Sequence, residues 1–285
     1  MGKGKSKQKD KLTGEEGFEQ YYASLYGKRW DDIKEAFKDE NQACEYHVKD
    51  AEKSYFLDSA SVLAALSLPL KGAENILDLC AAPGGKTLVI ASRMDEEAKL
   101  SSNERSSDRK RRLATVVETC LPPDINERIT VSCSDGATWC TRQSECFDRI
   151  LLDAPCSSER HVMLDPKYLS QWSLSRIKTV TMEQWALLSS AYRLLEPNGI
   201  LLYSTCALCP QENDEMIDRL FKKFNKDGDS FELLEPNPNV EEIKDYVNIT
   251  LPDYEKTKNG YMILPDKQKG AGPIYFSIIH KQKSI

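Results

Sequence analysis

Short apolar segments alternate with longer amphipathic segments through most of this chain of 285 residues. From residue 51 onward the alternation is that of repeated βαβ units, which predicts an α/β fold with a mostly parallel sheet and helices on both faces. Strands are predicted at 75–80, 99–103, 128–133, 147–152, 199–204 and 274–280. Helices are predicted at 57–68, 86–94, 108–119, 179–195 and 211–224.

The first fifty residues have a different pattern. Residues 1–14 are rich in lysine and are predicted to form a disordered basic tail. Residues 15–50 are polar with aromatic side chains at three- and four-residue spacing, which predicts a short helical extension packed on its neighbour. We therefore divide the chain into this tail, this extension and one large domain over 51–285.

Composition excludes several classes of protein. Lysine and arginine total 39 against 45 acidic residues, so the net charge of −6 argues against a generally basic surface but leaves a local basic patch open. No long uncharged apolar run is present, so we expect no membrane-spanning helix. Without an export signal, the nine cysteines are expected to be free thiols in the cytoplasm. Three histidines are too few to suggest a histidine-rich metal site, and we expect no metal.

Polar or thiol side chains stand at the ends of five predicted strands. Because ligands of parallel sheets bind at the carboxyl ends of the strands, these residues predict a site rather than a packing arrangement. They are Cys80, Glu104, Asp135, Asp153 and Cys206.

The first of these strands runs into a glycine turn and then a helix. Gly84 and Gly85 permit a tight turn and close approach of a ligand to the backbone. Glu104, at the next strand end, suits the hydroxyls of a ribose, and Asp135 suits an adenine amino group. A P-loop is excluded because Cys80 stands where its first glycine is needed. A turn that merely connects strand and helix remains the alternative.

Two cysteines follow central strands directly. Cys156 and Cys206 could be nucleophiles or small buried hydrophobic residues. The spacing of Cys206 and Cys209 also fits a redox pair or half of a zinc site. Pro210 and the lack of a second matching pair argue against both of those readings.

Three segments together resemble one known family. Residues 78–87, 153–156 and 204–206 resemble the Sun-family RNA cytosine-5 methyltransferases, and the likeness extends from about residue 17 to the end. Residues 18–30 and 156–161 resemble most its mitochondrial ribosomal-RNA branch. The resemblance implies a Rossmann-like class I methyltransferase fold with a seven-stranded sheet.

The resemblance also implies roles for individual residues. S-adenosyl-L-methionine would lie over the turn formed by Cys80, Ala81, Ala82, Pro83, Gly84, Gly85 and Lys86, with Glu104 at its ribose and Asp135 at its adenine. Asp153 matches a residue that contacts both the cofactor and the target cytosine. Cys206 matches the nucleophile, and Cys156 matches the cysteine that assists product release.

Contacts to RNA are predicted from position and residue type. Residues 157–178 follow Cys156 and should form a rim over the pocket. We predict that Lys86, Arg160, Tyr168 and Trp172 contact the substrate; the two aromatic rings could stack on bases or could anchor the segment.

The predicted function is methylation of ribosomal RNA, with transfer RNA second. DNA methylation would instead use Cys156 as nucleophile, and a ribosome-assembly factor would keep the fold without the chemistry. Only about fifty residues precede the catalytic region. We therefore expect weak binding of bare RNA and a protein partner that aids RNA delivery. Separately, we expect the protein to be a monomer.

Overall fold

The computed structural model describes residues 12–39, 43–225, 230–268 and 270–282. The strands are β1 (Ala43–Tyr46), β2 (Tyr55–Asp58), β3 (Asn75–Asp78), β4 (Lys99–Asn103), β5 (Ile129–Ser132), β6 (Phe147–Asp153), β7 (Leu195–Thr205), β8 (Phe231–Leu233), β9 (Glu255–Lys256), β10 (Tyr261–Ile263) and β11 (Ile274–Lys281). The helices are α1 (Gly14–Tyr26), α2 (Arg29–Lys38), α3 (Ser59–Leu66), α4 (Gly85–Ala91), α5 (Ser107–Cys120), α6 (Pro123–Asn126), α7 (Glu159–Leu164), α8 (Pro166–Ser170), α9 (Leu174–Leu194) and α10 (Asp214–Phe224).

One large sheet forms the centre of the molecule, in the order β5-β4-β3-β6-β7-β11-β10-β9 with β8 paired to β11. The five strands from β5 to β7 are parallel, and β11 joins them antiparallel. The predicted α/β class is confirmed. The implied number of seven strands is wrong, because the described residues contribute nine strands to this sheet. Strands β8, β9 and β10, for which no strand was predicted, are two or three residues long, too short to give a hydrophobic period.

Strand order reverses between β3 and β6. The chain runs from β3 outward through β4 to β5 and then returns to place β6 on the other side of β3. Loops that leave the two strands at such a point diverge and open a crevice at the carboxyl ends. The fold therefore provides a ligand site where the polar strand ends were predicted to meet.

Helix starts follow local capping. The Asp58 carboxylate accepts a hydrogen bond from the backbone N–H of Ala60 at 2.7 Å, so α3 begins at Ser59. The predicted helix started two residues too early, because Leu57 belongs to β2. The start of α9 differs in the opposite direction, because this helix begins at Leu174 and was predicted to begin only at residue 179.

The two N-terminal helices belong to the core on one face of the sheet. Phe18 and Tyr22 of α1 pack with Trp30 of α2 and with Trp172, and all four rings are buried. The predicted helical extension contains the two helices α1 and α2, and α1 begins at Gly14, the last residue of the predicted tail. Residues 1–11 of that tail lie outside the described residues. The division into domains stays a prediction. Within the described chain, no helix is long and apolar enough to cross a membrane.

Candidate active site

A cavity of about 630 Å³ opens at the carboxyl ends of the parallel strands. All five strand-end residues singled out by the sequence line this one cavity: Cys80, Glu104, Asp135, Asp153 and Cys206. They come from five different strand ends, so only the parallel sheet brings them together. The arrangement supports a ligand site and not a mere connecting turn.

The turn after β3 forms one wall of the cavity. Gly84 has a φ of +119°, and a Cβ added there would lie 2.9 Å from a methyl carbon of Val116, so this position requires glycine. Four residues of the predicted donor turn line the cavity: Cys80, Ala82, Pro83 and Lys86. Ala81 and Gly85 line a smaller adjoining cavity.

A buried carboxyl group lies beneath this turn. Oδ2 of Asp78 accepts a hydrogen bond from the Thr87 hydroxyl at 2.7 Å, whereas its buried Oδ1 has no hydrogen-bond partner in the described part of the chain. Burial raises the pKa of Asp78 to about 7. Burial also raises the pKa of the neighbouring Cys80 thiol, so we assign that thiol no nucleophilic role. An unsatisfied buried acceptor favours a cationic or hydrogen-bond-donating ligand nearby.

Glu104 forms the next part of the wall. Its side chain is only 4% exposed, one oxygen accepts from the Ser106 backbone N–H at 2.9 Å, and the other lies 3.3 Å from the guanidinium of Arg109. Arg109 in turn donates to the backbone carbonyl of Ala82 at 2.6 Å. Asp135, which is exposed, caps the short helix after β5 through the backbone N–H of Ala137. The sequence indicated both acids but not the arginine that fixes one of them.

The carboxylate of Asp153 lies at the end of β6 between two polar partners. Oδ2 accepts from the Lys86 ammonium at 2.7 Å, and Oδ1 accepts from the Ser204 hydroxyl at 2.8 Å. Ser204 faces it because β6 and β7 pair in parallel with Asp153 opposite Ser204. The carboxylate is thus held in one orientation at the cavity wall.

The two predicted catalytic cysteines come together, which the sequence separation of 50 residues could not show. Their Cα atoms are 6.3 Å apart and the structure joins Cys156 to Cys206 as a disulfide. The prediction of nine free thiols is therefore wrong for this pair, because reasoning from compartment alone took no account of two neighbouring strand ends. The other seven cysteines are free. Cys209 is among them, so the spacing to Cys206 does not mark a disulfide between these two.

A residue that sequence reasoning missed lies against both sulfur atoms. The hydroxyl of Ser158 is 3.2 Å from the sulfur of Cys206 and 3.4 Å from that of Cys156. Ser158 has a φ of +54°, a left-handed conformation that is uncommon for serine. No local sequence signal predicts this conformation.

A second cavity, of about 410 Å³, meets the first at Cys206. Both cavities are lined by Ser61, Ser158, Cys206 and Ile274. The nucleophile candidate is therefore open to an approaching ligand from one side while it faces the glycine-turn cavity on the other.

The residues predicted to contact RNA fall into different environments. Lys86 is engaged with Asp153, and the Arg160 guanidinium donates to backbone carbonyls of Asp39, Gly270 and Gly272, so it supports the wall of the second cavity. Their contacts with RNA stay predictions.

The two aromatic residues of the predicted rim differ in burial. Tyr168 is half-buried and packs on His161 with ring centroids 5.0 Å apart, and it lines neither cavity. Trp172 is only 3% exposed within the aromatic core around Phe18. Of the two alternatives for Trp172, its burial under α1 supports anchoring of the segment and contradicts stacking on a base.

Comparison with known protein families identifies the family to which this chain belongs. The family described as 16S rRNA methyltransferase RsmB/F matches residues 65–264, which contain every strand-end residue of the cavity. The chain belongs to this family.

Individual relatives agree with this assignment. The mitochondrial tRNA (cytosine(34)-C(5))-methyltransferase of Mus musculus is 32% identical over 242 residues, covering 82% of this chain and 65% of the relative. The 5-cytosine rRNA methyltransferase of the same organism is 30% identical over 239 residues, covering 80% of this chain and 60% of the relative. The chain thus spans less than two thirds of the length of these relatives.

Solved structures show the same fold. A methyltransferase homologue from Pyrococcus horikoshii superimposes with a TM-score of 0.69 at 22% identity, covering 95% of this chain and 96% of its own. NSun6 from the same organism, crystallised with SFG, gives a TM-score of 0.63 at 23% identity, covering 83% and 56%.

Proposed function

We propose that this protein transfers a methyl group from S-adenosyl-L-methionine to carbon 5 of a cytosine in ribosomal RNA, through a covalent bond between Cys206 and the base. The observation that carries the proposal is the meeting of two cysteine sulfurs and the Asp153 carboxylate at one cavity. Few other reactions need two thiols and a carboxylate beside a methyl-donor site.

The residues of the cavity fit the methyl donor. S-adenosyl-L-methionine carries a sulfonium, an ammonium and a ribose diol. Asp78, which lines the smaller adjoining cavity and has an unsatisfied Oδ1, suits the cationic part, and the carboxylate of Glu104 in the larger cavity suits the diol. When bound, the donor supplies an electrophilic methyl group, and every other requirement falls on the protein.

Cys206 provides the activation that cytosine needs. Carbon 5 of cytosine is a poor nucleophile, whereas attack of a thiolate on carbon 6 gives carbon 5 the character of an enamine. The new S–C6 bond replaces the C5–C6 double bond, and the electron pair moves into the ring. Both cysteines must be reduced for this step, so we expect activity only after the disulfide is opened.

Asp153 and Lys86 orient and stabilise the base. A carboxyl group at the ring nitrogen and exocyclic amino group stabilises charge that develops there during thiolate attack. The Lys86 ammonium and the Ser204 hydroxyl hold the carboxyl group in place before the base arrives. A preoriented group avoids a reorganisation cost during the reaction.

Cys156 completes the cycle. After methyl transfer, carbon 5 still carries its proton, and the bond to Cys206 cannot break until a base removes it. The electron pair of that C–H bond then restores the C5–C6 double bond and expels the Cys206 thiolate. The neighbouring sulfur of Cys156 is the group that we assign to this elimination.

Separate replacement of the two cysteines tests the proposal. With a radiolabelled methyl donor, reductant and ribosomal RNA, C206A should show no transfer. C156A should instead accumulate an RNA–protein adduct that survives a denaturing gel. C133A, which changes an exposed free cysteine, is the matched control and should behave like the wild type. The reverse result would be loss of activity without an adduct in C156A and an adduct in C206A. It would favour Cys156 as the nucleophile, which is the assignment expected for DNA methylation.

The class of RNA is tested in the same assay. Parallel reactions with transfer RNA, ribosomal RNA and naked single-stranded RNA distinguish the favoured substrate from the second candidate. Absence of donor binding by calorimetry would instead favour a ribosome-assembly factor.

We also propose a monomer that receives its RNA with the help of a protein partner. A cytoplasmic location remains a prediction that fractionation of cells would check.

A further inference from the structure

The backbone ladder that joins β6 to β7 stops before the cysteines. Its last paired residues are Asp153 and Ser204, and the Ala154 backbone N–H donates to the Ser204 carbonyl at 2.8 Å. Cys156 and Cys206 lie beyond this point, on two loops that no longer pair strand to strand. Once the disulfide is reduced, one direct hydrogen bond links the two cysteines, from the Cys206 backbone N–H to the Cys156 sulfur at 3.3 Å. Further contacts between the two loops then have to hold the thiols at a fixed separation.

Glu159 links the first loop to the second. It begins α7 shortly after Cys156, and its carboxyl group is fully buried. Oε2 accepts from the backbone N–H of Leu208 at 3.0 Å, which belongs to the loop of Cys206. Oε1 accepts from the hydroxyls of Ser157 and Tyr22.

Glu212 makes the reciprocal link. It follows Cys206 and is also fully buried. Its Oε2 accepts from the backbone N–H of Ser157 at 2.9 Å, in the loop of Cys156, and from the Gln184 amide at 2.8 Å. Its Oε1 accepts from the Cys209 thiol at 3.1 Å. Each glutamate thus comes from one cysteine loop and binds the backbone of the other.

Metal binding is the competing explanation for this group. Ligand atoms of Glu159, Cys209 and Glu212 all lie within 4.8 Å of one another. However, each of the four carboxyl oxygens already accepts at least one hydrogen bond, and a metal ion would have to displace these donors. None of the hydrogen-bond partners found in the described chain is a lysine or arginine. Burying two acids without a basic partner is costly, which argues that their positions serve a purpose.

We propose that Glu159 and Glu212 are positioning residues that hold Cys156 and Cys206 at the distance required for nucleophilic attack and elimination on one base. The inference rests on the proposed function for its catalytic consequence. Its structural consequence, a fixed separation of two thiols, is independent of any RNA.

Two substitutions at one position provide the test. E159Q keeps the length of the side chain, and its amide oxygen can accept from Leu208 while its NH₂ donates to the two hydroxyl oxygens. E159D keeps the charge but withdraws the acceptor by one methylene. We expect E159D to lower kcat about 100-fold, as a displacement of about 1 Å near reacting groups does. We expect E159Q to stay within about threefold of the wild type, and the dissociation constant for the donor to be unchanged in both.

A thiol measurement separates this inference from the proposed function. Equilibration with glutathione reports how readily Cys156 and Cys206 form their disulfide, and we expect E159D to shift the equilibrium about tenfold toward the thiols. The pair E212Q and E212D, with the same expectations, serves if E159D does not fold. If E159D shifts the glutathione equilibrium but the wild type shows no methylation, the proposed function is wrong and the positioning role still holds. Unchanged kcat and unchanged glutathione equilibrium in the aspartate variants would overturn it, and so would glutamine variants as impaired as the aspartate ones.

Discussion

Replacing Glu159 by glutamine removes a buried ionisable group while keeping its volume and its contacts. The side chain is fully buried, and burial, followed by the charge of nearby Glu212, raises the pKa of Glu159 from an ordinary 4.5 to about 7. The titratable groups that face it are Glu212, Cys209 and the phenol of Tyr22. The pKa values of Cys209 and Tyr22 are also raised by burial, so both stay neutral near pH 7.

The size of the effect follows from the difference between the folded and unfolded proton affinities. Between pH 4.5 and pH 7 the folded protein retains the proton on Glu159 and the unfolded chain releases it. The free energy of unfolding therefore falls as the pH rises through this window. The two pKa values differ by about 2.5, and each unit corresponds to about 1.36 kcal/mol, so the loss approaches roughly 3 kcal/mol above pH 7.

Urea unfolding of the wild type and E159Q across pH 4.5 to 8, in reductant, measures this loss. The two proteins should have similar stability at the acidic end. The wild type should then lose stability relative to E159Q by about 3 kcal/mol as the pH rises, because glutamine cannot ionise. E241Q is the matched control, since Glu241 is exposed and pairs with Lys244 at 2.9 Å. Parallel curves for the wild type and E159Q would refute the reasoning.

Other contacts of the site lead to further expectations. K86M should lower the single-turnover rate of methyl transfer by about 10- to 100-fold, because a charged hydrogen bond to Asp153 contributes about 1.5–3 kcal/mol. Equal rates in K86M and the wild type would show that Lys86 takes no part in the reaction. Asp78 has a pKa of about 7 and therefore becomes a carboxylate between pH 6 and pH 8. Donor affinity, measured by calorimetry, should rise up to about tenfold over this range, and in D78N it should be independent of pH. W172A should lower the free energy of unfolding by about 3–5 kcal/mol, and Y168A by much less, because only Trp172 is buried. A loss of RNA affinity without a loss of stability in W172A would contradict the place of Trp172 in the core.

Sequence alone located much of the site because each functional group ends a strand. A buried strand appears as an apolar run, and the polar residue that ends it is visible from its position. Cys80, Glu104, Asp135, Asp153 and Cys206 were found in this way, and parallel pairing made their meeting predictable. The three short segments 78–87, 153–156 and 204–206 carried the resemblance to the family for the same reason, since the chemistry is concentrated at these ends.

Contacts between residues far apart in the chain were decided by the tertiary structure. The closure of α1 over Trp172, the disulfide between Cys156 and Cys206, and the crossing links of Glu159 and Glu212 all depend on which loops become neighbours. Hydrophobic period and turn chemistry report only the conformation and exposed face of each segment. The separation of two side chains, and the burial that shifts their proton affinities, arise from packing, which no single segment encodes.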